Sequence, residues 1–113
     1  MTTLILRSTA TSIPIEISLS ERGTGGIAGE SPVYRLRRVS DGYYLDFDDS
    51  TFKNSAWTTK EKSLTENGTH SGFYSDTLDA TSIPLPNGFK GIIEYANAGA
   101  EAFIAEDVLI IRN

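Results

Sequence analysis

Apolar residues recur every second position along most of this chain, and that period restricts it to strands. Ile13, Ile15, Ile17 and Leu19 alternate with Pro14, Glu16 and Ser18, the pattern of a strand with one buried face. Pro14 fits near a strand start or on a sheet edge, where no ladder donor is needed. Val33 to Val39 and Tyr44 to Phe47 flank Asp41-Gly42, a dipeptide that turns a hairpin because glycine reaches positive φ without strain. The inward face of that hairpin is expected to hold Tyr34, Leu36, Tyr44 and one of Leu45 or Phe47.

Further strands are predicted at 4–6, 52–57, 60–65, 72–78, 89–96 and 102–111. Asn67-Gly68, Ser71-Gly72, the Pro84 to Gly88 segment and Asn97-Ala98-Gly99 separate them. The best helical candidate, 95–103, contains Asn97 and Gly99, both poor in a helix interior. Seven or eight short strands at these intervals predict an all-β antiparallel sandwich or barrel. Its 113 residues suffice for a single domain, 1–113. The glycine-rich stretch 21–31 is expected to be a mobile loop between the second and third strands.

Composition removes many chemistries. There is no cysteine, hence no disulfide framework, thiolate zinc site or cysteine nucleophile. One histidine, His70, cannot form a paired-histidine site within one chain. A net charge of −5 opposes binding to phosphate backbones, so no nucleic-acid partner is expected. The longest apolar run, Val108 to Ile111, has four residues, far short of the roughly 20 of a membrane span. Met1 to Arg7 has no basic segment ahead of its apolar patch and does not read as a secretory signal.

Several motifs imitate chemistry. Gly23 to Gly29 resembles part of a dinucleotide fingerprint, but a strand follows it where that motif needs a helix. Asp46, Asp48 and Asp49 resemble a fragment of a calcium loop without its glycine and terminal glutamate; they are read as solvated carboxylates leaving the hairpin. Arg35, Arg37 and Arg38 are the one basic cluster, with carboxylates such as Glu94 as expected partners across the sheet. His70 with Asp76 lacks the context of a nucleophile elbow. Asn67-Gly68-Thr69 matches a glycosylation sequon and is read as a turn. Trp57 and Tyr43 are the candidates for a ligand-stacking surface, although aromatics at period two more often fill a core. No catalytic, cofactor or metal site is expected.

The run Val33 to Asp46, followed by Phe52, Trp57, Gly72-Phe73-Tyr74, Gly91 to Tyr95 and Phe103 to Ile110, resembles the immunoglobulin-like β-sandwich modules of tailed-bacteriophage structural proteins. The resemblance spans 15–111. It implies an immunoglobulin-like fold and a non-enzymatic virion component, as in capsid decoration, head–tail connection or tail and baseplate accessories. Such a protein is made in the host cytoplasm and resides in the virion. Its partners would be other virion proteins or itself as a homo-oligomer. The alternative is a carbohydrate-binding module that holds host-surface glycans. The closing strand, apolar on both faces, is expected to be central in its sheet or paired at a subunit interface, which makes Val108, Ile110, Arg35 and Arg37 the candidate interface residues.

Overall fold

The computed structural model describes residues 2–21, 25–26, 29–97 and 105–113. These contain twelve strands and no helix: β1 (Thr3–Arg7), β2 (Ser12–Ser18), β3 (Ser20–Glu21), β4 (Gly25–Gly26), β5 (Pro32–Arg38), β6 (Tyr44–Asp46), β7 (Thr51–Lys53), β8 (Lys62–Ser63), β9 (Thr65–Glu66), β10 (Phe73–Asp79), β11 (Lys90–Asn97) and β12 (Ala105–Arg112). Eight of them have three residues or more. The large sheet runs β1-β12-β11-β5-β6-β7, with β8 also paired to β5; the small sheet runs β2-β10-β9, and β3 pairs with β4. The fold is an all-β sandwich, with β1, β12, β11, β5, β6 and β7 in one layer and β2, β10 and β9 in the other.

One pair departs from the expected antiparallel arrangement. β1 lies parallel to β12, Thr3 opposite Val108 and Arg7 opposite Arg112. The chain then crosses at residues 8–11 to the other layer, where β2 runs antiparallel to β10. β1 thus forms the edge of the large sheet beside the last strand.

The alternation read in the sequence is the alternation of the layers. Ile13 and Ile15 from β2, and Tyr74 and Leu78 from β10, pack against Tyr34, Leu36, Leu45, Ile93, Tyr95, Leu109 and Ile111 of the large sheet. Burying one such aliphatic side chain contributes roughly 1.5–3 kcal/mol. Three inward phenols keep a polar handle: Tyr74 Oη accepts from Glu30 N–H at 3.0 Å, and the other two donate to carboxylates. Tyr34 donates from its hydroxyl to Asp76 Oδ2 at 2.6 Å, across the layers, and Tyr95 donates to Asp107 Oδ2 at 2.9 Å. Burial, then the neighbouring carboxylate, raises both phenols well above the ordinary tyrosine range.

The Asp41-Gly42 hairpin forms, with a longer connection than a two-residue turn. Gly42 has φ +75°, its N–H donates to Arg38 O, and Arg38 N–H donates to Tyr43 O. Asp41 locks the loop by accepting from Arg38 Nη2 at 2.6 Å and from Tyr43 N. Leu45 supplies the inward face, whereas Tyr44, opposite Arg37 and Lys53, points outward.

Other boundaries shift for physical reasons. The strand expected at 52–57 ends at Lys53, and Ala56 takes φ +60°, which leaves Trp57 on a loop. The stretch 60–65 divides between layers: Lys62–Ser63 pairs with β5, Thr65–Glu66 pairs with β10, and buried Leu64 lies at the crossing. In the glycine-rich stretch, Gly25–Gly26 pairs with Ser20–Glu21; residues 22–24 and 27–28 lie outside the described residues. So do 98–104, which hold the Asn97–Gly99 turn beyond Asn97 and the first part of the predicted closing strand.

Candidate functional site

The outer face of the large sheet collects most of the residues singled out in the sequence. Arg35 and Arg37 both point there, and both are ion-paired. Arg37 Nε lies 3.2 Å from Glu94 Oε2, and Arg35 Nη2 lies 3.1 Å from Glu61 Oε2. Glu94 stands opposite Arg35 in the ladder but binds Arg37, one diagonal step away. Only 3 % of Glu94 is exposed. Its Oε1 accepts no aligned hydrogen bond among the described residues. Burial, then the Glu94 carboxylate, pushes the Tyr44 phenol up to about 12.

Trp57 belongs to the same cluster. Its Nε1–H donates to Tyr44 O at 2.8 Å, and the two rings meet edge-on with centroids 6.3 Å apart. The Lys60 ammonium lies 4.2 Å from the Trp57 centroid and 4.3 Å from that of Tyr44. Trp57 therefore packs on Tyr44 and not on Tyr43, whose ring lies beneath the Arg38 guanidinium at 5.7 Å. The structure does not join the two expected stacking residues.

Asp46 corrects the expectation of solvated carboxylates. It is fully buried and accepts from Lys53 Nζ at 2.7 Å and from the backbone N–H groups of Thr58, Thr59 and Asp48. The Lys53 hydrogen bond, reinforced by those backbone donors, holds its carboxyl well below the usual range against the opposing effect of burial. The same ammonium lies 2.8 Å from Asp49 Oδ2, so a lysine stands where a cation shared by the two carboxylates would sit. Asp48 and Asp49 are exposed. Among the described residues, no three metal-ligating side chains gather.

His70 and Asp76 are separated in role. His70 is exposed on a turn in which Asn67 Oδ1 accepts from the N–H groups of Thr69 and His70. Asp76 faces inward to Tyr34, with Lys62 Nζ at 3.5 Å.

β12 is central, lying between β11 and β1, so its backbone bonds are taken on both sides. Leu109 and Ile111 are buried, while Val108 and Ile110 are half-buried on the outer face. The edge beside them, unpaired among the described residues, belongs to β1. There Ile5, opposite Ile110, is 63 % exposed. Sequence reading places a strand at Leu4 to Leu6 but has no signal for its position at an edge; the odd apolar residue between two inward leucines is the one hint.

The remaining edges are blunted. β7, β8 and β9 are two or three residues long. On β2, Leu19 N–H donates to Gly72 O and Ala80 N–H to Thr11 O, so odd residues bond β10 and even residues face outward. Pro14 is among the outward ones and offers no N–H there. No family model matches the chain, and no curated protein is significantly similar to it.

Proposed function

We propose that this chain is a non-enzymatic structural protein of a tailed-phage virion, serving in capsid decoration, head–tail connection or as a tail or baseplate accessory. It joins neighbouring subunits through sheet edges and loops, and it resides in the particle after synthesis in the host cytoplasm. The observation that carries the assembly role is the unblunted edge of β1, with Ile5 exposed beside half-buried Val108 and Ile110. An edge of unpaired N–H and C=O groups bordered by apolar side chains gains free energy by pairing with another chain. The placement in a virion rests on the sequence resemblance. Quantitative mass spectrometry of particles purified from a lysate that encodes the chain should recover it at fixed stoichiometry. Recovery only in the particle-free fraction overturns the reading.

The glycan-binding alternative is less well supported. Its anchor, Trp57, has its N–H committed to Tyr44 O and Lys60 against its ring.

A further inference from the structure

β1 carries a self-complementary edge. Val108 N–H donates to Thr2 O and Ser8 N–H donates to Arg112 O, so even residues of β1 bond to β12 in the parallel ladder. The N–H and C=O groups of Thr3 and Ile5 and the N–H of Arg7 therefore face outward, with no strand beside them among the described residues, while Arg7 O accepts from Ala10 N–H in the turn that follows.

We propose that the chain forms a two-fold dimer in which β1 pairs antiparallel with β1 of a second copy, centred on Ile5. This rests on the assembly reading only in taking β1 as a contact strand, and it names the partner and the register. Centring on Ile5 sets Thr3 opposite Arg7 of the second copy; the two Ile5 residues exchange two bonds and each Arg7 N–H donates to Thr3 O across the seam, giving about four backbone hydrogen bonds. The two Ile5 side chains then meet on the outer face, each backed by its own Ile110, in one apolar row across the seam. On the inner face Leu4 meets Leu6 of the second copy; both are partly buried against the core in the single chain. The charges agree with this direction. Arg7, beside Arg112 in its own sheet, meets a threonine, whereas an in-register parallel pairing would set Arg7 against Arg7. The two large sheets become one continuous sheet, and closed two-fold pairing consumes both edges, which prevents growth into a fibre.

The test is analytical ultracentrifugation of the intact chain from about 1 to 500 µM, a range suited to a small interface, combined with amide hydrogen exchange. The expected result is a reversible dimer with slow exchange at Ile5 and Arg7. Ile5→Pro removes an outward N–H and no bond to β12, and should weaken the dimer at least ~10-fold. Ile5→Lys, which places like charges face to face, does the same if the proline variant fails to fold; cooperative melting verifies the folded monomer. A monomer throughout the range overturns the proposal. So does a dimer insensitive to both variants with fast exchange at Ile5, which leaves the assembly reading standing through another surface. Absence from particles overturns the virion reading without touching the dimer.

Discussion

The Lys53 ammonium lies 2.7 Å from Oδ2 of Asp46, a carboxylate with no exposed surface at the end of a three-residue strand. That contact, with the N–H groups of Thr58 and Thr59 on the same carboxylate, ties the 54–61 loop to β6 and sets Trp57 over the outer face. A local carboxylate cluster thus serves as an anchor. Its consequences can be measured.

Asp46→Asn should lower the melting temperature and loosen the 54–61 loop, seen as faster amide exchange at Thr58 and Thr59. The carboxyl pKa is depressed in the folded state, so its contribution is present above the unfolded value of about 4 and is lost as pH falls towards the folded value. Urea denaturation from pH 7 down to pH 2 should show the parent losing stability below about pH 4 with a steeper slope than the variant. Equal slopes would remove Asp46 from this role.

Calcium should leave the melting temperature unchanged, because the Lys53 ammonium already occupies the position between Asp46 and Asp49. A rise of several degrees in millimolar calcium would show a cation displacing the lysine.

Gly91→Ala should destabilise by roughly 1–3 kcal/mol in chemical denaturation, an overpacking cost. An added Cβ would lie 2.9 Å from the Phe89 ring, 3.1 Å from Leu36 Cδ1 and 3.3 Å from Arg37 O, and Phe89 is itself buried and packed on Phe52. A neutral result would mean that β11 shifts to make room.

Alkaline titration should show Tyr34, Tyr44 and Tyr95 ionising late. Their folded pKa values are raised, so the neutral phenols contribute stability below the unfolded value of about 10 that is lost as pH climbs past it. Tyr34→Phe should make the alkaline loss shallower and cost about 1–3 kcal/mol at neutral pH, through the hydrogen bond to Asp76. A tyrosinate absorbance step complete near pH 10, in protein that is still folded, would contradict the buried hydroxyls.

Trp57 fluorescence should not respond to free sugars, and Lys60→Ala should shift its emission to longer wavelength by uncovering the ring. Saturable quenching by a glycan in the parent chain would instead favour the stacking reading.

Local pattern made β2, β5 and β10 legible, since one-sided burial writes a two-residue period into a long strand, whereas β11, buried on both faces, was legible as an apolar run between turn residues. It also exposed the hairpin at Gly42 and the pairing of an arginine with Glu94, although Glu94 stands opposite Arg35 in the register and binds Arg37 on the diagonal. It misjudged Asp46, because a carboxylate looks the same in sequence whether water or Lys53 receives it. It read 60–65 as one strand because nothing local marks Leu64 as a crossing between layers.

Alternation and turn residues were enough to specify an all-β chain with its greasy positions turned inward, for those are consequences of backbone geometry and solvent acting over a few residues. Which strands are edges, which charges find partners and which aromatic rings meet came from contacts between segments far apart in the chain. β1 lies parallel to the final strand, roughly a hundred positions away, and that distant pairing is what leaves Ile5 at an open border.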